Sequence, residues 1–309
     1  MILAGDIGGT STRLALFDGD PAKPTVLETY PSRAHAGLEE LVADFTAAHP
    51  SSLEAASFGV AGPVRGGRCV DATNLAWEVD AAPLAALLGL ERVQLLNDLE
   101  ANALGIASLR PSDFAALNDG DPDAAGNAAV VSLGTGLGQA GLYWDGRQHR
   151  AFATEGGHVD FAPRSERQVE LYRWLEPQLG HVSVERVCSG TGLATLYRFA
   201  GGAPDTDPAA IAAGADTGDA AAVEAVDLLV EIYGSHAGNV ALAMLATGGV
   251  YLGGGIAPKI LPRLQAGGFI AAFVDKGRFR RLLERIPVTV ILNDKTALLG
   301  AARAAREGA

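Results

Sequence analysis

Short apolar strands alternate with helical segments along the chain. Runs of mostly apolar residues predict strands at 2–7, 13–17, 55–60, 93–96, 129–133, 250–252 and 288–292, and another that ends at Trp144. Apolar residues at helical spacing predict helices at 38–49, from Asn97 towards Leu109, and at 171–179, 190–199, 220–245 and 296–306. This alternation is typical of the α/β class.

Two further features indicate how these elements are grouped. Segment 111–127 is rich in Asp, Pro, Gly and Asn, which is typical of a loop or a domain boundary. A strand, a Gly/Thr turn and a second strand occur near residue 6 and again near residue 134. Two such halves facing each other would form a cleft suited to a ligand.

Composition and charge exclude several function classes. The 309 residues are enough for roughly two domains, and 48% hydrophobic with 19% charged residues is an ordinary globular balance. A net charge of -12 disfavours nucleic acid and anionic membranes as partners, so local donors must hold any phosphate ligand.

The chain has no apolar run of membrane-spanning length, and Asp6 interrupts the first apolar run, so we expect neither a signal peptide nor a membrane helix. Cys69 and Cys188 are too far apart in the sequence to suggest a disulfide framework, and we expect reduced thiols.

Three glycine-rich turns are candidates for phosphate or nucleotide binding. The first is Gly5-Asp6-Ile7-Gly8-Gly9-Thr10, the second contains Gly134-Thr135-Gly136, and the third contains Gly254 and Gly255 after a strand. Glycines let backbone N–H groups approach a phosphate, and Asp6 at a strand end is placed to hold Mg²⁺ through water. Plain hairpin turns, or a strand-to-helix turn for the third, are the alternative.

Other nucleotide and metal motifs are absent from the sequence. No Gly-Lys-Ser/Thr follows a glycine turn, so there is no Walker-type P-loop. The second and third turns do not complete GxGxxG, which disfavours dinucleotide binding. No HExxH is present to suggest zinc.

Two polar clusters are candidates for acceptor chemistry. Asn97 and Asp98 follow a buried strand, and a kinase for a hydroxyl acceptor needs such a carboxylate as base. Asn97 with Glu100 also resembles a helix capping box, and both readings can hold together. Glu155-Gly156-Gly157-His158 could place a carboxylate and an imidazole on one sugar, or it could be a surface turn.

Longer motifs extend these signals over almost the whole chain: GDIGGTSTRLALFD at 5–18, TNLAW at 73–77, LLNDLEANA at 95–103, GTGLG from Gly134, EGGHVDFAP at 155–163, GHVSVERVCSGTGLATLYR at 180–198, GGVYLGGGIAPKI at 248–260, GFIAAFVDKGRF from Gly268 and IPVTVILNDKTALLGAA near the end. Together they resemble the bacterial glucokinases of the hexokinase/actin-like superfamily. EGGHVDFAP and GHVSVERV are specific to that family, whereas the glycine turns are shared by the wider superfamily.

The resemblance implies a fold, a reaction and a set of partners. The fold would be a two-domain actin/hexokinase-like (ribonuclease H-like) α/β fold with an interdomain cleft. Its small domain would be 1–108 plus 296–309, and its large domain 109–295. The reaction would be ATP-dependent phosphorylation of glucose to glucose 6-phosphate with Mg²⁺. The protein would be cytoplasmic and could form a homodimer.

The resemblance also implies roles for individual residues. Asp98 would be the general base. Sugar would be bound by Asn97, Asp98, Glu155, His158 and Glu185; without the resemblance, Glu185 reads as a solvated charge. Nucleotide would be bound by Gly5, Asp6, Ile7, Gly8, Gly9, Thr10, Gly134, Thr135, Gly136, Gly254 and Gly255.

The chain departs from the family pattern at one position, and some alternatives stay open. Ser11 stands where the family often has Asn, which shortens the reach of one loop donor. The Cys-rich zinc motif of the related repressor/kinase family is absent, so no structural zinc is expected. The alternatives are a kinase for fructose or N-acetylglucosamine, a polyphosphate donor, or an inactive sugar-sensing protein.

Overall fold

The computed structural model describes residues 1–72 and 75–308. Thr73 and Asn74, which begin the TNLAW motif, and Ala309 lie outside the described residues. The described chain divides into two compact units. The first comprises 1–111, 149–153 and 293–309, and the second 112–148 and 154–292.

The strands and helices follow one another in α/β fashion, which confirms the predicted class. The elements up to residue 105 are β1 (Ile2–Ile7), β2 (Ser11–Phe17), β3 (Pro24–Pro31), α1 (Leu38–Ala48), β4 (Ala55–Val60), β5 (Arg68–Cys69), β6 (Val79–Asp80), α2 (Ala81–Leu88), β7 (Gln94–Asn97) and α3 (Asp98–Gly105). The later elements are β8 (Phe114–Asn118), β9 (Ala128–Leu133), β10 (Leu137–Trp144), β11 (His149–Thr154), α4 (Glu166–Leu179), α5 (Gly190–Phe199), α6 (Pro208–Thr217), α7 (Ala220–Ala243), β12 (Gly249–Gly253), α8 (Leu261–Gln265), α9 (Gly268–Val274), α10 (Arg280–Leu283), β13 (Val288–Ile291) and α11 (Thr296–Gly308). Short 3₁₀ helices lie at Ser32–Ala34, Ile106–Ser108, Pro111–Asp113, Gly156–His158, Val184–Arg186 and Gly277–Phe279.

The first unit is built on a five-stranded sheet in the order β3-β2-β1-β4-β7. β1 pairs antiparallel with β2 and parallel with β4. Helices α1 and α2 cover one face of the sheet, where Phe45 packs with Phe58 of β4, and α11 covers the other, where Leu298 packs with Phe17 of β2. Because both faces are covered, β1 and β4 are apolar along nearly their whole length.

Helix α3, which begins at Asp98, is held closely against α11. A Cβ added to Gly300 would lie 1.7 Å from the carbonyl oxygen of Ala101, so only glycine allows this approach. The strand-to-helix junction at Asn97 is therefore fixed from the side of α11.

The second unit is organised around the 24-residue helix α7. Within this unit the sheet has the strand order β10-β9-β12-β13-β8. Tyr233 of α7 is fully buried and donates a hydrogen bond at 2.8 Å to the carbonyl of Val131 in β9. Most of α7 is buried because its sequence is apolar around the helix.

One segment differs from the sequence-based expectation. The sequence predicts a loop or a domain boundary at 111–127; the division between the two units falls at its start, but the segment also contains β8, which pairs antiparallel with β13. The five-residue apolar run that forms β8 is flanked by Asp, Pro and Gly, which dominate the composition of the segment. Its strand conformation is stabilised by pairing with a strand about 170 residues later, which no local pattern reveals.

Two further sequence expectations concern the thiols and membrane spans. Cys69 and Cys188 are both buried free cysteines. In residues 1–72 and 75–308, no helix combines the length and the apolar character that a membrane crossing requires.

Candidate functional site

The first glycine turn connects β1 to β2 as a hairpin and is fastened to Ser32. The Ser32 hydroxyl donates to the carbonyl of Gly8 at 2.6 Å, and the Ser32 N–H donates to the carbonyl of Thr10 at 3.1 Å. The hairpin reading of this turn is thus correct, and it is compatible with ligand binding by the same backbone. Ile7 is fully buried, so only its main chain can face a ligand.

Asp6 lies beside Arg13, its partner across the β1–β2 pair. The Arg13 guanidinium is 3.9 Å from the Asp6 carboxylate and 2.7 Å from that of Asp294. Burial raises the pKa of Asp6 from 3.8 to about 6; the charge of Arg13 opposes this rise and the charge of Asp294 adds to it. A cation that a ligand brings to this site would stabilise the ionised form of the Asp6 carboxylate.

Asp6 fits Mg²⁺ of the kind that a nucleotide carries. Its side chain is about a quarter exposed, and Mg²⁺ is commonly held by one or two carboxylates together with waters and substrate phosphates. Among the described residues no group of three or more His, Cys, Asp or Glu side chains could hold a metal by itself. An Mg²⁺ at Asp6 would therefore take most of its ligands from water and phosphate.

Asn97 caps helix α3, as the sequence predicts. Its Oδ1 accepts from the N–H groups of Leu99 at 3.0 Å and Glu100 at 3.4 Å, and its Nδ2 donates to the carbonyl of Gly62 at 2.9 Å. Burial raises the pKa of Glu100, and a hydrogen bond from the Asn97 N–H to the Glu100 carboxylate partly opposes this rise. The same hydrogen bond completes the capping box.

Asp98 is the first residue of α3 and is partly exposed. Its Oδ1 accepts a hydrogen bond at 3.0 Å from the N–H of Leu99. The positive end of the helix dipole favours a carboxylate at this position. The capping role belongs to Asn97, so Asp98 supplies a carboxylate at a fixed strand-to-helix junction.

The Glu155–His158 segment forms a tight turn whose last three residues are a 3₁₀ helix. The Glu155 carboxylate lies 3.9 Å from Nε2 of His158, and Nδ1 of His158 lies 4.0 Å from the carboxylate of Glu185. These separations exceed hydrogen-bond lengths, so the three side chains gather without saturating one another. Three side chains that can form hydrogen bonds with the hydroxyls of a polyol therefore lie close together.

Glu185 is brought to this cluster by pairing between distant segments. The N–H of Val184 donates to the carbonyl of Val159 at 3.0 Å, and that of Phe161 donates to the carbonyl of Val182 at 2.9 Å. Main-chain hydrogen bonds therefore pair the segment after His158 with the segment that carries Glu185. Sequence reasoning without the family resemblance misses Glu185, because only this long-range pairing reveals its place.

The second glycine turn lies directly beside Glu185. The N–H of Gly134 donates to the carbonyl of Gly136 at 2.9 Å, and the N–H of Gly190 donates to the carbonyl of Gly134 at 2.8 Å. The Thr191 hydroxyl reaches the carbonyl of Thr135 at 3.5 Å. The turn is thus connected to the start of α5, whose N-terminus favours anions.

The third glycine turn packs against the residue that precedes the second. Gly254 has a φ of +83°, and a Cβ added there would lie 2.3 Å from the carbonyl oxygen of Leu133. The N–H of Ile256 donates to that carbonyl at 3.1 Å, while a Cβ on Gly255 would meet no atom within 4 Å. Two of the three predicted nucleotide turns are therefore adjacent, with open space at Gly255.

Comparison with known proteins gives consistent matches. A family model described as Glucokinase matches residues 3–308. A glucokinase of Nostoc punctiforme is 38% identical, over 98% of each chain.

Solved structures match the fold over the same extent. The crystal structure of a glucokinase from an Antarctic psychrotroph has a TM-score of 0.88 and 30% identity, covering 99% of this chain and 98% of its own. A ROK family glucokinase from Streptomyces griseus, solved with glucose and AMPPNP, has a TM-score of 0.68 and 20% identity, covering 99% of each chain. These neighbours confirm the predicted actin/hexokinase-like fold.

Proposed function

The chain belongs to the glucokinase family, and from this we propose that it transfers the γ-phosphoryl group of ATP to the 6-hydroxyl of glucose. The observation that carries the proposal is the gathering of Glu155, His158 and Glu185 at 3.9 and 4.0 Å beside the Gly134–Gly136 turn. The proposed sugar-binding cluster and this phosphate-type turn both belong to the second unit.

Sugar recognition follows from the chemistry of this cluster. Each glucose hydroxyl can both donate and accept a hydrogen bond. The carboxylates of Glu155 and Glu185 accept, and the imidazole of His158 can do either. Hydrogen bonds to charged groups are worth about 1.5–3 kcal/mol each, so the cluster can select and orient one sugar.

Proton transfer is assigned to Asp98. Its carboxylate takes the proton of the 6-hydroxyl as that oxygen bonds to the γ-phosphorus, and ADP leaves with the electrons of the broken bond. Asn97 holds the junction rigid through its contacts with Gly62 and α3. Phosphoryl transfer depends mainly on positioning and charge, which suits a rigid base of this kind.

The phosphates of ATP are assigned to the glycine turns. Backbone groups of Gly5 to Thr10, of Gly134 to Gly136 and around Gly254 and Gly255 would approach them, and Asp6 would hold Mg²⁺ through water. The metal, when bound, neutralises charge on the phosphates. EDTA should therefore abolish turnover, and added Mg²⁺ should restore it.

Measuring ADP release with a panel of sugars tests this function. Glucose, fructose and N-acetylglucosamine should each be supplied with ATP or with polyphosphate. The proposal predicts the highest kcat/KM for glucose with ATP. Faster turnover of another sugar would reassign the acceptor, and the absence of turnover with every sugar would indicate a sugar-binding protein.

A further inference from the structure

A buried pair of polar side chains, Gln139 and His236, lies beneath the Glu155–His158 turn. We propose that this pair positions the turn for sugar binding, so that both residues are positioning residues for glucose recognition. The inference rests on the proposed function and extends it to two buried side chains beneath the residues assigned to the sugar.

Gln139 is in direct contact with the base of the turn. A Cβ added to Gly156 would lie 1.6 Å from Nε2 of Gln139, so the Gln139 amide fills the space beneath Gly156. The Thr154 hydroxyl donates to the carbonyl of Gln139 at 3.0 Å and accepts from the N–H of Gly156 at 3.3 Å. Main chain and side chain of Gln139 thus both fix the turn between Glu155 and His158.

His236 fixes the Gln139 side chain in turn. The Nε2 of His236 lies 3.0 Å from Oε1 of Gln139, and because an amide oxygen only accepts, the imidazole donates from Nε2. Burial, together with the nearby charge of Lys276, lowers the pKa of His236 to about 4, so the ring is neutral at physiological pH. The Gln139 amide is then directed with its nitrogen towards Gly156.

The burial of this pair argues against a role that is limited to filling space. Gln139 is 8% exposed and His236 4% exposed, and α7 around His236 is otherwise largely apolar. Burial of two polar groups has a desolvation cost that apolar side chains of similar volume would avoid. A specific hydrogen bond in this position is explained by the orientation that it gives to the amide.

Displacement of the turn should act on glucose and not on ATP. Glu155 and His158 flank the two glycines, so movement at Gly156 moves both sugar ligands. Contacts made equally with substrate and transition state alter KM with little change in kcat. At metal sites, loss of the partners that orient the ligands costs on the order of 10- to 100-fold in metal affinity or activity, and by analogy we expect about a tenfold rise in the KM for glucose here.

The test compares three variants in the full-length protein. Gln139→Leu keeps approximate volume and removes the amide; His236→Phe keeps a ring and removes the donor; His236→Gln keeps an N–H donor. Gln139→Leu and His236→Phe should each raise the KM for glucose about tenfold, with kcat and the KM for ATP within about twofold. The double variant should resemble the single ones, because both remove the same interaction. His236→Gln should recover much of the glucose affinity.

Tyr233→Phe is the matched control, one helical turn away on α7. It removes another buried hydrogen bond, to the carbonyl of Val131, which is the cross-strand partner of Gln139, but it does not remove the hydrogen bond between Gln139 and His236. It should lower the melting temperature and leave the KM for glucose within about twofold. An equal rise in glucose KM for Tyr233→Phe would show that any weakening of this core has the same effect, and would overturn the proposal.

Failure of the inference can be separated from failure of the proposed function. If Glu155→Ala raises the glucose KM but Gln139→Leu and His236→Phe do not, the pair has no positioning role. If the wild-type protein neither phosphorylates nor binds glucose, the sugar site itself is wrong. Should Gln139→Leu not fold, the difference in glucose KM between His236→Phe and His236→Gln decides, and equal values would overturn the proposal.

Discussion

The carboxylate of Glu185 accepts a hydrogen bond at 2.9 Å from the backbone N–H of Leu137, the residue that follows the Gly134–Gly136 turn. A side chain assigned to the sugar is thus fixed by the backbone of a turn assigned to the phosphates. A contact of this kind links the placement of one substrate to that of the other.

Gly136→Ala should break this link. The new Cβ would lie 2.4 Å from Oε2 of Glu185, which must then move away from Leu137. We expect the KM for glucose to rise by about tenfold, in line with the loss of one hydrogen bond to a charged group. Gly134→Ala is the control in the same turn, because its Cβ would meet nothing nearer than 3.9 Å. Equal glucose KM values for the two variants would contradict the role given to Glu185.

Asp6→Asn should stabilise the protein at neutral pH in the absence of nucleotide and Mg²⁺. The unfolded chain ionises Asp6 near pH 3.8 and the folded chain near pH 6, so the wild type loses stability as the pH rises through this window. At one pKa unit per about 1.4 kcal/mol, the loss is at most about 3 kcal/mol. A neutral amide avoids it.

Thermal unfolding at two pH values measures this effect. Wild type and Asp6→Asn should melt at similar temperatures near pH 4, and Asp6→Asn should melt several degrees higher at pH 7.5. The same variant should need far more Mg²⁺ for turnover. A variant that is less stable than wild type at pH 7.5 would mean that Arg13 stabilises the Asp6 carboxylate more than burial penalises it.

Glu155→Ala should weaken glucose use without unfolding the protein. The side chain of Glu155 is 69% exposed and contributes no core contact, so its loss should leave the melting temperature near that of wild type. Loss of one charged hydrogen bond should lower kcat/KM for glucose by roughly 10- to 150-fold. Glu176→Ala, an exposed glutamate of α4, is the matched control and should change neither quantity. An unchanged kcat/KM in Glu155→Ala would mean that the Glu155–His158 segment is only a surface turn with no role in sugar binding.

Local sequence patterns predicted the elements whose structure depends on residues close together in the sequence. The buried strand before Asn97, the capping box with Glu100 and the Gly/Thr turn after Asp6 are all encoded within a few residues, and each is present in the structure. The predicted helix from Asn97 is likewise found, because its cap and its apolar spacing lie in one segment.

Long-range contacts account for what local patterns missed. Glu185 comes within 4.0 Å of His158 through pairing of 159–161 with 182–184, and His236 meets Gln139 across 97 residues of sequence. Arg13 and Asp294 are 281 residues apart and together set the environment of Asp6. Such partners become neighbours only through the tertiary fold.

The central claim is that Asp98 is the general base of a glucose kinase, and the kcat of Asp98→Asn tests it most directly. The cap of α3 is supplied by Asn97, and asparagine keeps the size of the Asp98 side chain, so the variant should fold and still bind glucose. Asp80→Asn, the same change at the N-cap of α2, where the carboxylate also pairs with Arg68, controls for effects on a helix terminus. The account predicts that kcat of Asp98→Asn falls about 10²- to 10⁴-fold, with glucose binding still detectable and the melting temperature near wild type, while Asp80→Asn keeps its kcat. A kcat of Asp98→Asn close to that of wild type would contradict it.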